Sequence, residues 1–221
     1  MAVLKPPEKT WTPAARCQVS AGRRADGPAR PWATVFISGP LPPEASWETE
    51  FVDPFALEDG VIRLRRWSSD DAAWYAESVR DPEIQRFTTD SPTLDAEQVR
   101  VAIVRLRNAD DAEGFVICDA VTGMRLGNIA ALQDDRVGEV SYWLAAQARG
   151  RGAATRALTL FSSWLFTNAG LTELRLRAHR DNTASQKSAM RAGYRRDPDR
   201  DGPQEAKGTV WPMLAFNRVV G

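Results

Sequence analysis

The strongest constraint on the fold is a turn with two glycines at residues 147–154, which reads QARGRGAA. It follows an apolar segment directly, and the residues after it place apolar side chains three and four positions apart, as a helix with one buried face requires. These positions are Ala154, Ala157, Leu158, Phe161 and Leu165. The pattern therefore predicts a strand, a tight turn and a helix over residues 150–168.

A turn of this kind can hold an anion. Gly150 and Gly152 permit backbone conformations that other residues avoid, and they let a ligand approach closely. The first N–H groups of a helix have no partner within it, and the helix dipole adds partial positive charge there. Arg149 and Arg151 add two formal charges, so the segment predicts a pyrophosphate site. It lacks the third glycine of a dinucleotide fingerprint and the Gly-Lys-Ser/Thr of a P-loop, which excludes both.

Periodicity along the rest of the chain predicts a mixed sheet with helices on its faces. Residues 61–67, 114–120, 126–132, 137–144, 174–179 and 209–219 have the patterns of strands, the last interrupted by Pro212. Helices are predicted from Ser69 to about Asp81, from about Asp95, over residues 150–168 and over residues 183–191. Helical crossovers imply some parallel pairing and hairpins imply antiparallel pairing, so the fold class is α/β or mixed α+β.

The first 58 residues differ from the rest. Nine of the fourteen prolines lie in residues 1–60, which argues against a long helix or a central strand. Three tryptophans in the same region favour an arm that covers the folded domain, with a free tail as the alternative. We therefore divide the chain into an N-terminal extension, residues 1–58, and one domain, residues 59–221.

Charge and composition exclude several classes of protein. Lysines plus arginines and aspartates plus glutamates number 29 each, so the net charge is zero, which disfavours nucleic acid as the main partner. No apolar run is long enough to cross a bilayer, and the N-terminus lacks the apolar stretch of a secretory signal. Cys17 and Cys118 have no metal or redox spacing, and His179 is the only histidine, so we expect no metal site and a reduced, cytoplasmic protein.

Two motifs resemble the GNAT superfamily of N-acyltransferases. The strand GEVSYWL at residues 138–144, with Gln147, Gly150 and Gly152 after it, resembles the family's acetyl-CoA signature. NTAS at residues 182–185 and RAGY at residues 191–194 are similar to the second signature of its ribosomal-protein N-acetyltransferase branch, the RimJ/RimL type. The resemblance covers roughly residues 60–219 and implies a twisted, mostly antiparallel sheet of about six or seven strands with about four helices.

The resemblance also implies how acetyl-CoA is held. Main-chain groups near Trp143, Leu144 and Ala145 would pair with pantetheine, and the turn would hold the pyrophosphate. Asn182 would bond the cofactor near its reactive end. The full set of expected contact residues is Trp143, Leu144, Ala145, Gln147, Arg149, Gly150, Arg151, Gly152, Ala153, Ala154, Asn182 and Ser185. Arg149 or Arg151 could equally be a solvated surface residue.

Three residues are catalytic candidates. An acceptor ammonium must lose a proton before it attacks a thioester, and a carboxylate can take that proton. Glu139 matches a position that often carries a catalytic acid in related enzymes. Alternatively, its carboxylate only pairs with a neighbouring arginine. Glu205 in the last loop is the second candidate for the base. Many family members use a tyrosine to protonate the leaving thiolate, but this chain has Ala189 at the matching position. The resemblance therefore assigns that role to Ser185. Alternatively, Ser185 only caps the helix.

The resemblance therefore implies an acetyl-CoA-dependent N-acetyltransferase that works by direct transfer to a primary amine, most simply a peptide or protein N-terminus. Two alternatives stay open: acetylation of a small-molecule amine such as an antibiotic or metabolite, and a non-catalytic acyl-CoA-binding module. The sequence leaves the oligomeric state open between a monomer and a homodimer.

Overall fold

The computed structural model describes residues 55–221, so most of the predicted extension lies outside the described residues. The described part contains a nine-stranded sheet. The strands are β1 (Ala56–Glu58), β2 (Ile62–Arg66), β3 (Ala112–Asp119), β4 (Arg125–Asp134), β5 (Val137–Leu144), β6 (Glu173–His179), β7 (Arg195–Arg196), β8 (Gly202–Ala206) and β9 (Thr209–Val219). The α-helices are α1 (Ala72–Ser78), α2 (Pro82–Phe87), α3 (Ala96–Asn108), α4 (Ala153–Asn168) and α5 (Thr183–Arg191).

The sheet is mixed, as predicted. Its strand order is β1-β2-β3-β4-β5-β6-β9-β7, with β8 paired to β9 beside this path. Within residues 55–221, β5 and β6 form the single parallel pair, because helix α4 crosses over between them. This confirms the predicted fold class, with more strands and one more helix than the resemblance implied.

Helices cover both faces of the sheet and bury two hydrophobic clusters. On one face, every residue of the apolar stripe predicted for α4 is buried. The stripe packs with Phe115, Ile117 and Val140. On the other face, Tyr75 of α1 and Ile103 of α3 pack with Trp67 and Trp143. Residues of β5 therefore alternate between the two clusters, as strand geometry requires.

Two elements differ from the sequence expectations. Helix α2 was not predicted, since six residues are too few to show a helical period. It forms because the Asp81 side chain accepts hydrogen bonds from the N–H groups of Glu83 and Ile84, with Pro82 at the first helical position. Strand β8 occupies the stretch predicted to be a loop, and it forms by pairing with β9, which runs through Pro212 without a break.

The sheet begins before the predicted domain. Strand β1 lies in residues assigned to the extension and pairs antiparallel with β2. Just before it, the Phe55 ring contacts the rings of Phe115 and Trp164, with centroids 5.9 Å apart in each case. The last residues of the assigned extension are thus part of the folded sheet.

Candidate active site

A cleft opens where the two parallel strands separate. Strands β5 and β6 pair in register only from Val137 with Glu173 to Val140 with Leu176. Beyond this point the two strands are no longer paired with each other, and the opening between them continues into a cleft of about 480 Å³. Its walls come from four parts of the chain: the segment around α2, the end of β5, the start of α4, and β6 with α5.

The glycine turn forms one wall of this cleft. Gly150 and Gly152 have φ angles of +75° and +78°, in the left-handed region that favours glycine. No side chain caps the start of α4, and a Cβ atom built on either glycine would have no neighbour within 4 Å. The first amide groups of a 16-residue helix therefore face open space. This arrangement fits a pyrophosphate.

The two arginines of the turn have different environments. The Arg149 guanidinium lies 2.6 Å from the Asp81 carboxylate and also donates to the Leu144 carbonyl at 3.2 Å. Arg149 lines the cleft while holding the turn against α2. Arg151 and Gln147 are exposed, and neither lines the cleft. Of the two predicted cationic contacts, the structure brings one to the site.

Main-chain groups at the end of β5 face the open edge at every second residue. The Ala145 N–H donates to the Leu126 carbonyl at 2.9 Å, which commits it to β4. Because main-chain groups alternate between the two edges of a strand, those of Trp143 also face β4, and those of Leu144 face the cleft. The Leu144 N–H therefore fits the expected pairing with pantetheine, whereas its carbonyl accepts from Arg149. Trp143 also lines the cleft.

Helix α5 places two of the predicted residues on the opposite wall. Asn182 caps the helix, since its side chain accepts from the Ser185 N–H at 3.0 Å. The Ser185 hydroxyl is not the cap. It lies 3.0 Å from the hydroxyl of Tyr142, which donates to it across the cleft from β5. Tyr142 was not among the sequence candidates, although its place in the alternating strand could have suggested it. Ala189, at the family's tyrosine position, is fully buried.

Glu139 lies just before the point where the strands separate. Strand alternation puts it on the same face as Ser141 and Trp143. Burial raises the pKa of Glu139 to about 7, against the opposing charges of Arg177 and Arg175. Arg175 also forms an ion pair with Glu173 at 2.8 Å, so the two arginines act on Glu139 through their charge. The carboxyl has the right pKa for a base, but it does not line the cleft.

Glu205 is not in the loop where it was predicted. It lies in β8 opposite Val210, and its side chain is exposed on the face away from the buried Gln204. Gln204 lines the cleft and Glu205 does not. Strand β8 therefore turns the glutamate toward solvent.

Asp90 is a buried carboxyl in the cleft wall, and no sequence pattern pointed to it. Asp90 follows α2 in a segment without periodicity and is fully buried. It lines the cleft and accepts a hydrogen bond from the Tyr75 hydroxyl at 3.1 Å. Only its tertiary surroundings distinguish it from other aspartates of the chain.

Within residues 55–221, no group of three or more His, Cys, Asp and Glu side chains could hold a metal ion. His179 lines the cleft between the rings of Phe87 and Trp211, with centroids 5.6 and 5.8 Å away. The helices of the described part include none that is both long and apolar enough to span a membrane.

A parallel strand pair that opens beside an uncapped, glycine-rich helix start defines an acyl-CoA N-acyltransferase. The chain belongs to the GNAT acetyltransferase family: the sequence profile described as acetyltransferase (GNAT) domain matches residues 62–195. It is therefore an N-acetyltransferase with acetyl-CoA as the acyl donor. No curated protein matches the chain in sequence.

Solved acetyltransferase structures share its fold. One, from Salmonella typhimurium, modifies the N-terminal serine of ribosomal protein L7/L12; it is 14% identical, with a TM-score of 0.65 over 76% of this chain and 100% of its own. The ribosomal-protein-S5-alanine acetyltransferase from Vibrio fischeri is 17% identical, with a TM-score of 0.66 over 75% and 96%. The microcin C7 self-immunity acetyltransferase MccE, solved with acetyl-CoA and AMP, is 15% identical, with a TM-score of 0.66 over 76% and 98%.

Proposed function

We propose that this acetyltransferase acts on the α-amine of a peptide or protein N-terminus, as a member of the RimJ/RimL-like branch. Two of the structures similar to it in fold are ribosomal-protein acetyltransferases, one of them described as modifying an N-terminal serine. The second signature motif, at residues 182–194, supports the same branch. A cytoplasmic location fits this reaction, because acetyl-CoA and newly made proteins are both present there.

The observation that carries the proposal is the pKa of the carboxyls near the open strand end. A protein α-amine has a pKa near 8, whereas a lysine side chain has one near 10.4. Burial raises the pKa of Glu139 to about 7, near the operating pH and nearer the pKa of an α-amine than that of lysine. Asp90 has a similarly raised pKa, of about 7.

The roles of the other residues follow from their positions. The amides that begin α4 at Ala153 and Ala154, after Gly150 and Gly152, bind the pyrophosphate, and the Leu144 main chain pairs with pantetheine. Ser185 gives a proton to the departing thiolate and regains one from the acceptor nitrogen. The bound acetyl-CoA supplies an activated acyl carbon, and the cleft aligns the amine with it, which can account for several kcal/mol of the rate enhancement.

The base is a carboxylate. Glu205 was our second candidate for this role, but its exposed position in β8 leaves Glu139 and Asp90 as the stronger ones. They differ in access, since Asp90 lines the cleft and Glu139 does not.

The test is to incubate the full chain with acetyl-CoA and a short peptide that begins with serine or alanine and contains one lysine. We expect release of free CoA and addition of one acetyl group, located at the α-amine by fragment mass spectrometry. The same peptide with a blocked N-terminus is the control and should stay unmodified.

Three results would contradict the proposal. Acetylation of the lysine alone would reject the α-amine as acceptor. Acetylation only of small amines such as ethanolamine would favour the small-molecule alternative. Tight acetyl-CoA binding with no transfer to any amine would favour a non-catalytic acyl-CoA-binding module.

A further inference from the structure

We propose that Asp90 is a catalytic residue of this enzyme: its free carboxylate oxygen binds the ammonium group of the acceptor and takes its proton. This inference rests on the proposed function in one respect only, that the acceptor is a primary amine. It names a proton acceptor other than Glu139, the residue that sequence resemblance favours.

The first support is an unpartnered oxygen inside the cleft wall. The Asp90 side chain is fully buried, and its Oδ1 atom accepts from the Tyr75 hydroxyl at 3.1 Å. Its Oδ2 atom is buried and has no hydrogen-bond partner. A buried acceptor without a partner is costly and calls for an explanation, and a ligand that completes the site supplies one. The neighbouring Thr89 hydroxyl is also buried, unpartnered and part of the cleft wall.

The second support is that hydrogen bonds hold both the carboxyl and the main chain of Asp90. Tyr75 fixes Oδ1 and packs edge-on against Trp143, with ring centroids 5.2 Å apart. The Gln85 side chain donates to the Asp90 carbonyl at 3.1 Å and accepts from Lys207 at 2.6 Å. These contacts leave Oδ2 as the one side-chain oxygen of Asp90 without a hydrogen-bond partner.

The protonation state suits the role. Burial raises the pKa of Asp90 to about 7, while the Tyr75 hydroxyl, the Lys207 ammonium and the Thr88 hydroxyl oppose the rise. Burial in turn lowers the pKa of Lys207, against the attraction of Asp90. Near neutral pH the carboxyl can therefore both accept a proton and release it.

The proton and bond changes balance without a further reagent. The ammonium gives one proton to Oδ2, and the neutral amine nitrogen then forms a bond to the acetyl carbon. The carbon–sulfur bond breaks, and the second proton leaves the nitrogen as the thiolate is protonated. Asp90 returns its proton to solvent, so the products are the amide, the free thiol of CoA and one proton.

Asp90→Asn tests the proposal, with Asp95→Asn as the matched control. Asp95 is exposed in the same segment and caps α3, a role that asparagine also fills. We expect Asp90→Asn to lower kcat/KM for the acceptor by about 10²-fold or more and to abolish the rise of kcat/KM through about pH 7. Affinity for acetyl-CoA should be unchanged, and Asp95→Asn should retain activity within about twofold. A Glu139→Gln variant that loses this pH dependence while Asp90→Asn keeps it would overturn the inference.

The acceptors are the serine and alanine peptides together with ethanolamine and propylamine. If the wild type uses only the small amines, the proposed N-terminal acceptor is wrong and Asp90 is still tested on those amines. An Asp90→Asn variant that keeps full activity and the same pH profile would overturn the inference.

A spectroscopic measurement covers the cases of a misfolded variant and of an inactive wild type. In the wild type labelled with ¹³C at aspartate carboxyls and saturated with CoA, the Asp90 signal should titrate near pH 7. Propylammonium should shift that midpoint downward, because a bound cation favours the carboxylate. An unchanged midpoint at saturating propylammonium would reject Asp90 as the ammonium site.

Discussion

At the scale of single residues, two hydrogen bonds around Ser185 support its proposed role as a proton donor. Asn182 accepts the Ser185 N–H, which removes the capping task that would otherwise occupy the hydroxyl oxygen. Tyr142 then donates its own proton to that oxygen. Because the oxygen already accepts a hydrogen bond, the Ser185 proton is left for a partner in the cleft, where a departing sulfur would lie.

Ser185→Ala is therefore expected to lower kcat by about 10²-fold, the effect typical of losing one general acid. The KM for acetyl-CoA should change little, because the proposed pyrophosphate site is at the start of α4. Tyr142→Phe should cost less, about tenfold, since Ser185 keeps its proton. Steady-state kinetics with the preferred acceptor would measure both effects.

Ser163→Ala, an exposed serine of α4, is the control and should match the wild type. If Ser185→Ala kept the wild-type kcat, thiol protonation would have to come from another group or from solvent.

At the scale of elements, the start of α4 combines an unusual backbone with an empty surface. The left-handed conformation of Gly152 turns the chain into the helix, and the absence of a side-chain cap leaves the first amides open. Asp81 contributes from α2 by holding Arg149, which ties the turn to the acceptor side of the cleft. The binding surface is thus a property of the strand–turn–helix unit more than of any one side chain.

Gly152→Ala should weaken acetyl-CoA binding by about tenfold or more, because a methyl group would enter the space left for the phosphates. The backbone strain alone should cost about 1–2 kcal/mol of folding stability. Calorimetric titration and urea unfolding separate the two effects.

Gly123→Ala is the matched control for Gly152→Ala. Gly123 lies in the turn between β3 and β4, with a φ of +71° and no neighbour within 4 Å of a built Cβ atom. It should lose a similar amount of stability and keep wild-type affinity for acetyl-CoA. Equal affinities of the two variants for acetyl-CoA would show that the turn is not the phosphate site.

At the scale of the whole molecule, distant segments close the cleft and bury its carboxyls. The tip of the β8–β9 hairpin reaches α2, where Lys207 donates to the carbonyl and side-chain oxygens of Gln85 at 2.6 Å. The carboxyls of Glu139 and Asp90 are desolvated by this packing, and both have pKa values near 7 for that reason. Such groups make the stability of the fold depend on pH.

The sign of the dependence follows from linkage. Between about pH 4.5 and 7, folded Glu139 keeps its proton and the unfolded chain has lost it, so stability falls as pH rises. The fall due to this group is about 3 kcal/mol at most, from a pKa shift between 4.5 and about 7. Asp71 contributes oppositely, since ion pairs with Arg65 and Arg125 help lower its pKa to about 2, and that stability is lost only in strong acid.

Glu139→Gln should therefore flatten the fall in unfolding free energy between about pH 5 and pH 8, with the variant gaining on the wild type at the higher pH. Urea denaturation at the two pH values measures this. Glu77→Gln, on an exposed face of α1, should show the wild-type dependence. A fall of equal size in Glu139→Gln and the wild type would mean that Glu139 is not desolvated.

The local elements could be predicted because their signals come from near neighbours in sequence. The stripe on α4, the alternation in β5 and the capped start of α3 at Asp95 depend on spacings within one or two turns. The glycine turn and the NTAS segment at residues 182–185 carried the family resemblance for the same reason. Helix α2 was missed, because its cap and six residues give too short a pattern.

Taken alone, the sequence determined the fold class, the glycine turn and the family, since the signals for all three lie in contiguous residues. The tertiary structure decided which carboxyl meets the cleft, that Glu205 faces solvent from β8, and that Tyr142 supports Ser185 across the opening. It also decided the raised pKa values of Asp90 and Glu139. Burial and access depend on segments that approach each other only when the sheet forms, so no local pattern encodes them.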